Sequence, residues 1–194
     1  MKKLATLFVD SYKELNNGTV TLTVMGMLAA ISVVLGYFSI ELTSYIKIGF
    51  SPVANQLVYY LFGPTLGACY GFFIDMLKYF IKPTGSWFPG FTLNAMLGGV
   101  IYGVLLYKKP ISLPRILIAK LVVVVFINCL LNTLWLSMLY GKAFMVLLPA
   151  RAVKNLVMWP IDSLLFWMVA RVVERSGILK MLRANPRRSS LKSK

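Results

Sequence analysis

The sequence is poor in the residues that most enzymes and metal sites use. It has no histidine and two cysteines, Cys69 and Cys129, both inside apolar runs. This supply excludes a zinc-type cluster and a disulfide framework. The chain also lacks a Gly-x-x-x-x-Gly-Lys-Ser/Thr phosphate loop and a Gly-x-Ser-x-Gly nucleophile. We therefore predict no P-loop nucleotide binding, no catalytic activity, no metal and no cofactor.

Acidic residues are scarce as well: 6 Asp and Glu face 21 Lys and Arg, giving a formal net charge of +15. Charged residues make up 14% of the 194-residue chain and hydrophobic residues 58%, a balance that places the chain in a bilayer. Six transmembrane helices of about 20 residues would use about 120 residues and leave little for a soluble domain. We predict an all-α membrane protein, and any ATP-hydrolysing module must lie on another chain.

The apolar runs predict a bundle of six transmembrane helices. They cover about residues 19–37, 52–62, 65–81, 91–107, 114–140 and 149–173. The Gly63-Pro64 pair predicts a tight turn between the second and third spans. We predict an amphipathic segment on the membrane surface over residues 1–18, a substrate-binding domain over 19–174 and a basic tail over 175–194. No cleavable signal is expected, because Asp10 ends the first apolar run too early.

The distribution of basic residues predicts the orientation. With six spans, most of the 21 basic residues fall on the side that holds both termini, including the segment from Lys108 to Lys120. The positive-inside rule then places both termini in the cytoplasm, and no nucleic-acid partner is expected. The opposite side holds Lys47, Lys78, Lys82, Lys142, Arg151 and Lys154. These outward cations indicate a receptor for an anion.

A polar stripe descends from the outer end of the sixth span. It starts after Pro149, which suits the first turn of a helix, and consists of Arg151, Lys154, Asn155, Met158 and Asp162. A charge at the bilayer centre costs at least about 2.5 to 3.5 kcal/mol, so the stripe should face protein or a water-filled cavity. The cations and the helix N-terminus would suit a carboxylate ligand. The alternative is that Arg151 and Lys154 snorkel to lipid headgroups while Asp162 pairs inside the bundle.

A second ionisable stripe ends the third span, where Asp75, Lys78 and Lys82 are three and four residues apart. In the functional interpretation Lys82 contacts an anion and Asp75 accepts hydrogen bonds from a ligand. In the alternative, Asp75 and Lys78 form an internal ion pair.

Aromatic residues follow this stripe in a segment with two prolines. Trp87, Phe88 and Phe91 would suit stacking on a flat ring, although such residues also form interfacial belts. Asn94, one turn into the fourth span, is a candidate ligand contact because an amide offers donors and an acceptor.

Two further features carry open alternatives. Asn128, Asn132 and Trp135 share one face of the fifth span, where the amides either meet a ligand or join helices. In the first span, a smooth face predicts docking of another membrane protein. Its residues are Gly26, Ala29, Ala30 and Val33.

The chain resembles the membrane-embedded, substrate-binding S components of energy-coupling factor (ECF) vitamin transporters, and within them the folate-specific branch. The resemblance runs from about Val20 to Arg171. Its motifs are Lys47-Ile48-Gly49-Phe50, Phe62-Gly63-Pro64, Asp75 with Lys82-Pro83-Thr84-Gly85-x-x-Phe88-Pro89-Gly90-Phe91-Thr92, and Pro149-Ala150-Arg151-x-x-Lys154-Asn155. The last two of these four motifs are the ones specific to the folate branch.

This resemblance implies a six-helix subunit of a prokaryotic cell membrane that binds folate at its outer face. Its partners would be a transmembrane coupling protein and two ATPases. The subunit would topple in the bilayer to deliver its ligand, with the first outer loop as a gate.

Folate needs cations for two carboxylates, a stacking surface and hydrogen-bonding groups for its pterin. We assign the carboxylates to Arg151 and Lys154, with Asn155 beside them and Lys82 as a further contact. Ring contacts are assigned to Trp87, Phe88 and Phe91, and pterin hydrogen bonds to Asn94 and Asp75.

Two other functions compete with this interpretation. One is an S component for another vitamin, although a cation such as thiamine fits poorly beside Arg151 and Lys154. The other is an intramembrane aspartyl enzyme that uses Asp75 and Asp162, which would have to approach within a few ångströms of each other. The sequence shows no protease motif around either residue.

Overall fold

The fold is predominantly helical in a computed structural model that describes residues 2–14, 19–38, 40–43, 46–82, 87–141 and 144–177. The helices are α1 Lys2–Lys13, α2 Thr19–Tyr37, α3 Ser51–Ile81, α4 Pro89–Leu106, α5 Leu113–Val123, α6 Asn132–Tyr140 and α7 Phe144–Arg175. A π-helical segment, Val124–Leu131, joins α5 to α6. Two short strands, β1 Ile40–Thr43 and β2 Ile46–Ile48, pair antiparallel between α2 and α3.

In the part of the chain that the structure describes, 5 helical stretches are long and apolar enough to cross a membrane. They are Thr19–Tyr37, Ser51–Ile81, Pro89–Leu106, Leu113–Leu139 and Arg151–Arg175. The prediction of a helical, multi-pass membrane architecture is therefore confirmed. The stretches are fewer than the predicted spans because the second and third apolar runs both belong to α3.

α3 consists of two arms that meet at Gly63, whose φ of 83° and ψ of −168° are not helical. Ser51 Oγ accepts a hydrogen bond from Lys78 Nζ, and Asn55 Oδ1 accepts one from the Tyr70 hydroxyl at 3.2 Å. In a straight helix, residues 51 and 78 would lie about 40 Å apart at 1.5 Å per residue. The chain therefore turns back at Gly63, where a positive φ favours glycine. This is the tight turn that the sequence predicts.

The second arm of α3 lies against α4 with little space between the two backbones. A Cβ added at Gly71 would be 2.5 Å from the Ala95 carbonyl oxygen, and one at Gly103 would be 2.4 Å from Pro64 N. Late residues of the arm thus meet early residues of α4, so the two run antiparallel. Around them the core contains Tyr60, Phe62, Tyr102, Ile116 and Phe166.

α1 contributes a buried hydroxyl to the turn of α3. Ser11 is 0% exposed, and its Oγ donates to the Phe62 carbonyl at 2.6 Å. The same oxygen accepts the backbone N–H groups of Thr65 and Leu66, each at 3.1 Å. These are backbone groups that the break at Gly63 deprives of helical partners. The predicted surface helix is therefore also a cap for the turn.

Replacing Ser11 with alanine should destabilise the bundle. The change leaves two amide groups and one carbonyl without the hydroxyl, which should cost about 2 kcal/mol. Thermal unfolding of purified Ser11→Ala protein measures the loss. The matched control is Thr23→Ala, because Thr23 is exposed and bonds only its own helix, at Thr19 O. Equal melting temperatures for the two variants would contradict the capping role.

Polar contacts also fix α1 to the end of α4. Lys108 Nζ forms an ion pair with Asp10 at 3.0 Å. The Tyr107 hydroxyl donates to Glu14 Oε1 at 2.9 Å. The N-terminal helix, the α3 turn and the end of α4 therefore share one end of the bundle.

One local prediction was wrong, and one element was not predicted. α7 begins at Phe144, so Pro149 lies inside the helix and Arg151 is not in its first turn. A membrane helix tolerates an internal proline, because neighbouring groups can satisfy the freed carbonyl. The β-hairpin after α2 was not predicted. Lys142 and the basic tail from residue 178 onward lie outside the described residues.

Candidate functional site

A cavity of about 510 Å³ lies within the bundle. Its walls come from α2, both arms of α3, α4, the π-helical segment with its flanking helices, and α7. This volume falls within the range of about 300 to 1,000 Å³ that is usual for small-molecule sites. The fold therefore provides a ligand-sized space in its interior.

The charge on the cavity wall is strongly unbalanced. The ionisable residues with fixed charges that line it are Lys78, Lys82, Lys120, Arg151, Lys154 and Asp162. Only Asp162 in this group is acidic. Low-dielectric walls of one charge sign concentrate the electrostatic field, so the cavity favours an anionic ligand.

The polar stripe of α7 faces this cavity. Arg151, Lys154, Asn155, Met158 and Asp162 all line it, as expected from the cost of exposing such a stripe to lipid. Arg151 Nη2 donates to the Asn128 carbonyl at 3.5 Å, so the guanidinium is directed toward the π-helical segment. The structure does not support snorkelling of these two cations to headgroups. The other part of that alternative is met, because Asp162 Oδ2 lies 4.0 Å from Lys120 Nζ inside the bundle. Their contacts with a ligand stay predictions.

Lys120 was assigned to the cytoplasmic flank, and this placement was wrong. It is 2% exposed, lines the cavity and lies with its Nζ 4.0 Å from Asp162 Oδ2. The reason is that α5 begins at Leu113, so Lys120 lies about 10 Å along the helix from its start. The sequence places the residue between apolar neighbours, which distinguishes it from the true flank at Lys108.

Aromatic residues line the same inner region. The rings of Tyr59 and Tyr102 stack at a centroid distance of 6.1 Å with an interplanar angle of 12°. Gln56 Nε2 donates to the Tyr102 hydroxyl at 3.3 Å, and Trp159 lines the cavity near Asp162. We call Gln56, Tyr59, Tyr102, Lys120, Trp159 and Asp162 the inner end of the cavity.

Three buried polar atoms in the cavity wall have no hydrogen-bond partner among the described residues. They are Gln56 Oε1, Asn94 Nδ2 and Lys120 Nζ. Gln56 is 5% exposed and Asn94 is 8% exposed. Native proteins rarely leave such groups unpaired, so each one marks a place where a polar ligand atom would fit.

At the other end of the cavity, Lys82 and Tyr37 form part of the wall. Lys82 Nζ lies 5.7 Å from the centre of the Tyr37 ring, and the side chain is exposed. Asn128 and Asn132 also line the cavity. The structure therefore favours the ligand-facing alternative for these two amides.

Four predicted contacts do not line the cavity: Trp87, Phe88, Phe91 and Asp75. Trp87 is 45% exposed, and Phe88 packs on Trp135 and Phe91 at centroid distances of 5.6 and 5.9 Å. Trp135 Nε1 in turn donates to Asn94 Oδ1 at 3.2 Å. Phe88 and Phe91 thus support Trp135, which fixes the orientation of the Asn94 side chain from outside the cavity.

Asp75 joins two helices. Its Oδ2 accepts a hydrogen bond from Thr92 Oγ1 at 2.7 Å, which ties α3 to the first turn of α4. Lys78 donates to Ser51. Asp75 is therefore not in the cavity wall. It lies near enough to Lys78 for a favourable charge interaction, but the two described side chains form no ion pair within 4.0 Å.

The predicted docking face of α2 is only partly exposed. Gly26 and Ala30 are exposed, and a Cβ at Gly26 would have no neighbour within 4 Å. Ala29 and Val33 pack against the core, and Val33 lines the cavity. The four residues have the i, i+3, i+4, i+7 spacing of one helical face, but only the edge formed by Gly26 and Ala30 is open to a partner, because the edge formed by Ala29 and Val33 packs inward.

Sequence reasoning missed much of the inner end. Gln56, Tyr59, Tyr102 and Trp159 were not singled out, although Asn55 and Gln56 are adjacent amides within an apolar run. That pair was the available signal. Tyrosines and tryptophans in membrane helices are too common to identify a site without coordinates. Among the described residues, no group of acidic, histidine or cysteine side chains could hold a metal ion.

The chain is similar to known transport proteins. Residues 20–170 match the family described as ECF transporter, substrate-specific component. The folate transporter FolT of Clostridium novyi (strain NT) is 37% identical over 155 residues, covering 80% of this chain and 90% of that protein. The folate transporter FolT of Leuconostoc mesenteroides subsp. mesenteroides is 30% identical over 144 residues, covering 71% and 77%.

A solved structure, a crystal structure of FolT bound with folic acid, aligns with a TM-score of 0.73 and 35% identity. The alignment covers 78% of this chain and 93% of that one. The matching family consists of transporter components, which confirms the prediction that the chain is not an enzyme. The chain belongs to the family of substrate-specific components of ECF transporters.

Proposed function

We propose that the chain is the folate-binding S component of an ECF-type importer. The observation that supports this most is the combination of excess cations and a stacked tyrosine pair in one buried cavity. Folate combines a dianionic glutamate with flat aromatic rings, so it matches both features. Relatives that are themselves folate transporters support the same ligand.

The ligand lies along α7 in this proposal. Asp162 follows Arg151 by 11 residues, which is about 16 Å along a helix axis. The glutamate carboxylates bind Arg151 and Lys154, with Asn155 beside them and Lys82 near the opening. The pterin occupies the inner end, where the rings of Tyr59 and Tyr102 lie.

Asn94 donates its unpaired Nδ2 to the ligand between these two ends. The ring contacts that the sequence suggested for Trp87, Phe88 and Phe91 are made instead by the aromatic residues of the cavity, Tyr59, Tyr102 and Trp159. Phe88 and Phe91 instead support Trp135, which orients Asn94. Asp75 stabilises the start of α4 and does not bind the pterin. Residues of the inner end make that contact instead.

Six membrane passages follow if each arm of α3 is counted as one. The hydrogen bonds between Ser51 and Lys78 and between Asn55 and Tyr70 support this count, because they join antiparallel arms. Both termini then share the end of the bundle that holds the α3 turn. The basic tail over residues 175–194 makes this the cytoplasmic side of a prokaryotic cell membrane. In this proposal residues 1–18 form the amphipathic segment on the cytoplasmic membrane surface and residues 19–174 form the substrate-binding domain.

The partners in this proposal are the bilayer, a transmembrane coupling protein and two ATPases. The chain has no phosphate loop of its own, so hydrolysis must occur on the ATPases. On α2, the exposed Gly26 and Ala30 allow close approach of the coupling protein. The β-hairpin after α2 is the gate, and the whole subunit reorients to release its ligand.

Titration of the detergent-purified protein with folic acid tests the proposed ligand. We expect saturable binding at one site per chain. Pteroic acid lacks the glutamate and carries a single carboxylate on its benzoate ring. It should bind at least about tenfold more weakly, because the half-buried Arg151 and Lys154 then lose the two glutamate carboxylates. Thiamine, a cation, should not compete. Competition by thiamine or another vitamin in place of folic acid would favour the alternative of an S component with a different ligand.

A further inference from the structure

We infer that Lys120, Asp162 and Gln56 together recognise the 4-oxo form of the pterin ring and discriminate against 4-amino analogues. This inference rests on the proposed function, since it names the residues that determine specificity within the same site. It concerns the inner end of the cavity, where Asp162 follows Arg151 by 11 residues and Lys154 by 8 along α7.

The arrangement of these three side chains carries the inference. Lys120 Nζ is a donor and lies 4.0 Å from Asp162 Oδ2, an acceptor. Neither Lys120 Nζ nor Gln56 Oε1 has a hydrogen-bond partner among the described residues. Gln56 is fixed through its Nε2 bond to Tyr102, so its free oxygen has a defined position. The wall thus offers one donor beside one acceptor, with a second acceptor nearby in the same lining.

The pyrimidinone ring of a pterin has the complementary pattern. Its C4 carbonyl is an acceptor, the adjacent N3–H is a donor, and the exocyclic 2-amino group is a further donor. In this alignment Lys120 donates to the carbonyl oxygen, and Asp162 accepts the N3 proton. Gln56 Oε1 accepts a proton of the 2-amino group. Both unpaired atoms of the inner end, Lys120 Nζ and Gln56 Oε1, then have a hydrogen-bond partner.

A 4-amino group reverses this pattern at two adjacent atoms. The carbonyl acceptor becomes an NH2 donor that faces the Lys120 ammonium, and N3 becomes a lone pair that faces the Asp162 carboxylate. Protonating the ring would remove the second conflict. The Asp162 carboxylate favours that protonation and the Lys120 ammonium opposes it. In either protonation state the 4-amino group still faces the Lys120 ammonium, so the first conflict remains.

The experiment compares folic acid with aminopterin, its analogue in which the 4-oxo group is replaced by an amino group. Both carry the same glutamate, so any difference in affinity arises at the ring. In the unmodified protein, aminopterin should bind roughly 10- to 100-fold more weakly, the range expected for one or two buried mismatches. This measurement requires no variant and is independent of folding defects.

Variants then locate the discrimination. Lys120→Met with Asp162→Asn removes both charges together, because a single change would leave the other charge buried and unpaired. This double variant should bind folic acid and aminopterin within about threefold of each other. The control is Lys154→Met, which should weaken both ligands equally and leave their ratio unchanged. Thermal unfolding of each variant confirms that it is folded.

Each result supports or overturns a specific statement. Equal affinity of the unmodified protein for folic acid and aminopterin overturns the inference and leaves the proposed function intact. Discrimination that persists in the double variant also overturns it, by placing the recognition elsewhere. Absence of binding by both ligands would instead contradict the proposed function.

Discussion

Arg151→Ala should weaken folic acid binding about 100-fold or more. The guanidinium lines the cavity and contacts the Asn128 carbonyl, so it is held near the proposed position of the glutamate. Removing one partner of a buried, hydrogen-bonded ion pair costs about 2 to 5 kcal/mol, and each 1.4 kcal/mol changes affinity about tenfold. Titration of the purified variant gives the loss directly.

The ligand without its glutamate provides the internal comparison for this variant. Pteroic acid should lose less than about threefold in affinity on Arg151→Ala, because it cannot make the glutamate contact. Arg115→Ala is the matched control: Arg115 bonds Pro110 O in an exposed position and does not line the cavity. Its affinity for folic acid should equal that of the unmodified protein. Equal losses of folic and pteroic acid binding on Arg151→Ala would show that Arg151 does not bind the glutamate.

The sequence was sufficient to predict the outward cations because membrane burial makes charge costly. Arg151, Lys154 and Asp162 could not face lipid without a large penalty. Their spacing on one helix therefore required a cavity or a protein neighbour, and the structure contains that cavity. The positions of charges in α7 could thus be predicted from composition and helical period alone.

The positions of the aromatic side chains were harder to predict, because Trp, Tyr and Phe carry little free-energy penalty whether they face lipid or the protein interior. The prolines near Trp87 and Phe88 suggested a rigid ligand platform, but Phe88 packs on Trp135 and supports Asn94 from outside the cavity. Tyr59 and Tyr102 come from different helices, and their stacking depends on the turn at Gly63. Only tertiary structure determines which aromatic rings reach the ligand.

The depth of Lys120 within the bundle was also not predicted from the sequence. Counting basic residues by segment assigns each to a side of the membrane but ignores how far it lies along its helix. Lys120 is seven residues after the start of α5 at Leu113, so it reaches the inner end and pairs with Asp162. The fifth span was predicted to begin at residue 114, one residue from the observed start, so the error came from ignoring the distance of Lys120 along the helix and not from the boundary.

Gly99→Ala should strongly destabilise the fold. A Cβ at this position would lie 2.3 Å from the Gly67 carbonyl oxygen and 2.5 Å from its carbon. Both atoms are backbone, so no side-chain rotation relieves the contact and α4 must move away from the second arm of α3. Overpacking of this kind costs about 3 kcal/mol, which lowers the melting temperature by roughly 6 to 12 °C in a chain of this size.

Gly98→Ala is the control, because it makes the same chemical change one residue earlier in the same helix. A Cβ at Gly98 would meet only Ile127 Cδ1, at an ordinary 3.9 Å. Alanine is also a better helix former than glycine by about 1 kcal/mol, so this variant should melt at or above the unmodified protein. The opposite signs of the two shifts follow from the antiparallel contact between α3 and α4. If Gly99→Ala melted as high as Gly98→Ala, the backbones could not lie as close as the turn at Gly63 places them.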